Sequence, residues 1–334
     1  MKKLALWVGL LFCFFLTAFA EEKAMPALDE KKTAFVDYDL QLAFPQKLGG
    51  LDFVKVEKYK MKERGYSLFY KKGSSFLIEV SIYNMGHNSI PDGCDGDLFK
   101  ERFRGVENEL DRMLKQEKIL DLKKKGQTVI TSKNSVPFLT TMFQYKWNTN
   151  AVNQKIEMKA ICVTGKKNNF IKTTFTFDFS QRSSAKKILA KTLDQLAEML
   201  TKKMDDQAIF FASYEALFCD PASYAGRVAG QYMLQKVQTM DNINIYTHIL
   251  VWRKMSSPPE NSNLLLAGYF AGIFKAMMQK KSEEQIDISA FESMLDLYQI
   301  MRAKKEIESI EKLDKWSAVP DKKALFKRLL IKEE

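Results

Sequence analysis

The chain has 334 residues, 46% hydrophobic and 28% charged, with 52 Lys and Arg against 41 Asp and Glu for a formal net charge of +11. The excess is modest and dispersed, its longest run being Lys123, Lys124 and Lys125, so no nucleic-acid partner is expected. Contact with an anionic lipid or wall polymer would be weak and spread over a solvated surface.

Lys2 and Lys3 precede an uncharged stretch over 4–17, and Ala18, Phe19 and Ala20 stand just ahead of Glu21. A basic start, an apolar centre and a small-x-small end predict a secretory signal peptide over 1–20, cleaved after Ala20. Two Lys and no acid would leave with it, so the net charge would fall to +9. The product would be periplasmic or extracellular, without a mature transmembrane helix. The alternative is an uncleaved anchor, because 4–20 reaches the roughly 17 residues that can span a bilayer. Cys13 follows a bulky Phe12 and precedes more apolar sequence, which argues against a lipoprotein. Residues 21–35 are expected to be a flexible N-terminal segment.

From 36 to 205 alternation dominates and predicts an α+β sandwich domain. Phe76, Ile78, Val80 and Ile82 share one strand face; Leu139, Thr141, Phe143, Tyr145 and Trp147 share another; Ile171, Thr173, Phe175, Phe177 and Phe179 a third. Turns at Lys71-Lys72-Gly73-Ser74 and over 165–169 pair 66–70 with 75–83 and 153–164 with 170–179 as hairpins. Helices are expected over 98–116, with Phe99, Phe103, Val106, Leu110 and Met113 on one stripe, and over 184–204, with Ile188, Leu189, Leu193, Leu196 and Leu200. The simplest architecture is an antiparallel sheet of six to eight strands carrying these two helices. In element order this outline is similar to the PsbP-like α/β/α sandwich, a likeness of arrangement that implies no function. Most aromatics of these strands share the inward phase; Trp147 and Phe170, at strand ends or out of phase, are the two candidates for surface exposure.

The segment "YNMGHNSIPDGCDGD", 83–97, holds His87, Cys94, Asp92, Asp95 and Asp97. His87 with the three aspartates could ligate a metal, but the spacing fits neither a zinc pattern nor a calcium loop. Turn chemistry accounts for more of it. Gly86 and Asn88 tolerate unusual backbone angles, Pro91-Asp92-Gly93 is a turn, and Asp95 or Asp97 is placed to cap the following helix.

Residues 206–334 read as an all-α module. Asp220-Pro221 predicts a helix start, Ser257-Pro258-Pro259 a break, and Asn261 or Ser262 the next start; a long charged helix is expected over 288–312, with Phe291, Leu295, Tyr298 and Met301 at helical spacing. Residues 243–254, which contain His248, fit strand or helix, and their neighbours favour helix. "AGRVAG" at 225–230 and "AGYFAG" at 267–272 place Gly226 with Gly230 and Gly268 with Gly272 on one helical side each, predicting helix packing on small residues. The uncharged run over 264–274 is too short to span a bilayer.

Beyond the leader the cysteines are Cys94, Cys162 and Cys219. An odd count leaves at least one unpaired; if a bridge forms in an oxidising compartment, Cys94 to Cys162 is favoured, as both lie in one domain. No G-x-S-x-G is present, "GYSLF" at 65–69 lacking the second glycine, and no phosphate-binding glycine loop. No cofactor is predicted. The function expected is that of an exported, non-enzymatic binding or assembly module acting on an envelope protein or polymer. The alternative is an envelope hydrolase or metal-dependent enzyme using the 87–97 loop.

Overall fold

A computed structural model describes residues 32–148, 155–238 and 262–331. The expected leader, His248 with the rest of 243–254, and the 257–259 break lie outside them.

The chain is α+β, with most strands in the first half and a helical module in the second. β1 (Thr33–Asp37) and β2 (Leu42–Pro45) form a separate antiparallel hairpin. β3 (Lys47–Leu48), β4 (Leu51–Lys58), β5 (Tyr66–Lys72) and β6 (Phe76–Tyr83) lead to α1 (Asp97–Lys115). There follow β7 (Ile119–Lys124), β8 (Thr128–Thr131), β9 (Pro137–Trp147), β10 (Ile156–Lys166), β11 (Asn169–Asp178) and α2 (Arg182–Thr201). The nine strands from β3 onward make one sheet in the order β3-β4-β5-β6-β11-β10-β9-β7, with β8 also paired to β9. β7 takes one end of β9 and β8 the other, so the ninth strand lengthens an edge and the sheet is eight strands wide.

Two-residue periodicity sets which core each strand side enters. Phe76, Ile78, Val80, Met158, Ala160, Ile171 and Phe175 join Leu189, Leu193 and Leu196 of α2 in one buried cluster. Leu139, Phe143, Tyr145, Ile161 and Val163 join Phe99, Phe103 and Leu110 of α1 in another, on the opposite face. The β10–β11 turn is tighter than the pattern over 165–169 implies: both strands run on to Lys166 and Asn169, and only Lys167 and Asn168 turn, at φ 45° and 62°.

The helical module comprises α3 (Asp206–Cys219), α4 (Tyr224–Gln238), α5 (Ser262–Met278), α6 (Glu283–Ala303), α7 (Glu311–Ala318) and α8 (Lys322–Ile331). Asp205 caps α3, accepting from the Ala208 N–H at 2.7 Å. α5 lies at the centre, with residues buried on all sides. Among the described residues no helix is long and apolar enough to cross a membrane.

Several expectations are corrected. Thr33, Ala34 and Phe35, placed in a flexible segment, are the first residues of β1, which is buried throughout. That strand packs on the helical module: the Thr33 N–H donates to Glu215 at 2.7 Å, and Tyr38, in the turn after β1, bonds Ser213 at 2.9 Å and stacks on Tyr232 at 4.6 Å. Asp220 does not start a helix, because α3 runs up to it; α4 begins later, and Ser223 Oγ accepts from the Gly226 N–H at 3.1 Å. The 288–312 helix is two helices: Ser282 and Gln285 form a capping box at the start of α6, and Lys305 just beyond its end takes φ 59°.

The glycine strips do pack, but not on each other. A Cβ on Gly230 would sit 3.3 Å from Leu264 of α5, whereas on Gly268 and Gly272 it would meet α6, at 2.7 Å from Leu297 and 2.5 Å from the Ser289 carbonyl. Gly226 faces the preceding turn, 2.2 Å from the Asp220 carbonyl. The favoured Cys94–Cys162 bridge does not form. Cys162 points into the α2-side core and Cys94 into the α1-side core, so the sheet separates them. Complete burial pushes the Cys162 thiol up to about 12.

Candidate binding face

The loop between β6 and α1 is fastened to the β10–β11 hairpin. Gly93 and Gly165 exchange backbone hydrogen bonds, Thr164 Oγ1 donates to the Gly93 carbonyl at 3.2 Å, and the Ile90 N–H donates to Asn168 at 2.6 Å. A Cβ on Gly165 would stand 2.0 Å from the Pro91 carbonyl, so this close approach requires glycine.

The loop's side chains are dispersed along it. Asp92 pairs with Lys166 at 2.6 Å and accepts from the Lys167 N–H at 3.0 Å. Asp97 pairs with Lys100 at 2.8 Å, Asp95 is exposed, and the His87 ring packs edge-on against Phe170 at 5.7 Å. Neither Asp95 nor Asp97 caps α1; the N-cap is Gly96 at φ 98°, a conformation that suits glycine, and Asp97 stands in the first turn, where its charge suits the helix dipole. The described residues contain no group of three or more His, Cys, Asp or Glu side chains placed to hold a metal. Of the two candidates for surface exposure, Phe170 is 0% exposed beneath α1 and this loop, and Trp147 is half-buried.

Partial burial raises the Asp92 carboxyl, but the Lys166 ammonium and Lys167 N–H outweigh it and leave it below the usual value of 3.8. With the folded pKa depressed, the stabilisation is present above the unfolded pKa and is lost as pH falls through the folded one. We expect amide exchange at Lys167 to quicken at least tenfold in Asp92→Ala, and in the unaltered chain as pH drops below about 3.8. After correction for the intrinsic pH dependence of exchange, equal protection in both chains at pH 7 would contradict this anchoring role.

The face that α1 shares is only partly covered. α1 packs over β7, β9 and β10, and β11, β6, β5 and β4 present three cross-strand rows beside it. Lys172, Ser81, Ser67 and Glu57 form one row; Thr174, Glu79, Phe69 and Lys55 the next; Thr176, Leu77, Lys71 and Asp52 the third. Ser67 and Ser81 are buried within it, both donating to Glu79 Oε1 at 2.9 and 3.0 Å, while Tyr59 bonds Ser67 at 2.9 Å. Leu77, at the centre of the third row, is 37% exposed. Burial first, and then the Lys159 and Arg102 charges, hold the Lys172 ammonium below the usual Lys value, against the pull of Glu79 and Glu109.

The alternation pattern by itself did not mark this face as a site. Its signal was the second phase of the β6 and β11 alternation, where Glu79, Ser81, Lys172, Thr174 and Thr176 occupy the positions between apolar residues. A face with buried hydroxyls held by a carboxylate, a charged rim and exposed Leu77 can bind. It also lies outside the bonded loop on which a hydrolytic reading would depend.

No protein-family model and no curated protein matches the chain. Among solved structures, a match is found to PA94 of Pseudomonas aeruginosa, described as a protein of unknown function, at 12% identity over 51% of this chain and 96% of that one, with a TM-score of 0.24. A likeness at that level establishes neither family nor fold.

Proposed function

We propose that the chain is an exported, non-enzymatic binding or assembly module of the cell envelope, with the partly covered sheet face as its working surface. Export rests on the leader-like N-terminus. The binding role rests on one observation: three ordered rows of side chains, polar or charged except for Phe69 and Leu77, stand on strands that α1 does not cover. Sheet-borne groups hold their geometry better than loop-borne ones, which suits recognition. The 87–97 loop is engaged in fastening the hairpin, so the hydrolase alternative gains no support from it.

The test is site-specific photo-cross-linking in the producing cell. A photoreactive residue at Thr174 or Leu77 is expected to give a discrete adduct with one envelope component. The same residue at Lys187, exposed on α2, is expected to give none, and Thr174→Arg to abolish the Leu77 adduct. Equal labelling at Lys187 and Thr174 would refute the assignment of this face.

A further inference from the structure

At the α1 end of the open face two cations meet two aromatic rings. Tyr83 of β6 and Phe170 of β11 lie with centroids 5.5 Å apart. The Arg102 guanidinium of α1 sits over the Phe170 ring at 4.9 Å, and the Lys172 ammonium over Tyr83 at 5.8 Å. His87 reaches the same Phe170 ring from the loop. This juxtaposition joins α1, two strands and the loop, and the cross-strand register sets Tyr83 opposite Phe170.

The cations here are under-used. The Arg102 side chain is only 14% exposed, its carboxylate neighbour Glu101 stands at 3.6 Å, and its Nε is buried without an acceptor. Buried donors are normally satisfied, so such an atom calls for an explanation. Lys172 forms no ion pair with a described residue; the carboxylate beside its row, Glu79, is engaged by Ser67 and Ser81. Glu109 of α1 acts on Lys172 only through its charge. Ring stacking positions a guanidinium without using its hydrogen-bonding edge. The Arg102 charge disfavours the Lys172 ammonium, and an anion reaching both would relieve that repulsion while accepting their hydrogen bonds.

We propose that this corner is a seat for an oxyanion, a carboxylate or phosphate group, held between the Arg102 guanidinium and the Lys172 ammonium beside the Tyr83–Phe170 pair. The inference rests on the binding role above and names the chemistry of what is bound. It is tested by titrating the full ¹⁵N-labelled chain with inorganic phosphate and, separately, with citrate at constant ionic strength, following the Arg102 Nε–H and the amides of Tyr83 and Phe170. Saturable shifts centred on these signals are expected at millimolar concentrations. Lys172→Met and Arg102→Met are each expected to weaken the response at least fivefold, and Lys187→Met, at an exposed position of α2, to change it less than twofold. Saturation by phosphate alone assigns a phosphate, by citrate alone a carboxylate, and by both the shared chemistry. Failure of both probes to saturate at this corner overturns the proposal, as does a loss in Lys172→Met no larger than in Lys187→Met. If Arg102→Met does not fold, the map on the unaltered chain and Lys172→Met decide. Anion titrations that fail while the Thr174 adduct persists overturn the seat alone; binding without an adduct leaves the seat and overturns the envelope-partner role.

Discussion

A chain divided at residue 205 is expected to give a 206–334 fragment that loses its cooperative thermal transition, although the helical pattern begins there. The reason is β1. Ala34, Phe35 and Val36 are at most 4% exposed, and the strand lies on α3 and α4, bonded through Thr33 to Glu215 and, through the next residue of its turn, Tyr38, to Ser213. Burying a Val is worth about 1.5–3 kcal/mol, and Phe35, which packs mainly in the sheet core, meets the module at Tyr224, so losing β1 removes on the order of 3 kcal/mol from the module as an upper bound. That is a sizeable part of the roughly 5–15 kcal/mol that holds a domain. Restoring residues 32–45 ahead of 206 through a flexible linker is expected to recover a sigmoidal melt by circular dichroism. Should the bare fragment melt cooperatively within a few degrees of the intact chain, the strand does not have this role.

Alanine in place of two helical glycines is expected to act in opposite directions. Helix propensity alone favours Ala over Gly by about 1 kcal/mol wherever the side chain is free. A methyl group added at Gly105 of α1 would have nothing within 4 Å of it, so Gly105→Ala is expected to stabilise by about that amount. At Gly272 the methyl would stand 2.5 Å from the Ser289 carbonyl and 2.7 Å from Ala290 Cα, both α6 backbone. Two helices would have to separate, and overpacking of this kind costs about 1–3 kcal/mol or more. We expect Gly272→Ala to lose about 2 kcal/mol net and to melt about 3 °C lower in a chain of this size. Urea titration of the two variants gives the comparison directly, and a stabilised Gly272→Ala would mean that α5 and α6 do not approach as described.

Much of the architecture was legible because it repeats. Alternation through β6, β9 and β11 marks both sheet faces, and the stripes of α1 and α2 mark what covers them. β1 and β2 carry no such signal: both are short, and β1 is buried on every residue, which erases the two-residue period. β7 and β8 were missed for the opposite reason, lying largely exposed on the sheet edge with charged or short sequences. For the site, the polar phase of β6 was visible, but which strands α1 would leave bare was not.

What the residues determined by themselves was local: periods of two and of 3.6, turn chemistry at 91–93, helix-forming segments after 205, and small residues where backbones come close. These follow from covalent geometry and side-chain sterics within a few neighbours. Partnership needed the tertiary structure. It sent Cys94 and Cys162 to opposite sides of the sheet, turned Gly268 and Gly272 toward α6 instead of α4, placed β1 on the helical module, and brought Arg102, Lys172 and His87 to one pair of rings. Each depends on which distant surfaces bury one another, a choice made by the whole core at once and left open by any single segment.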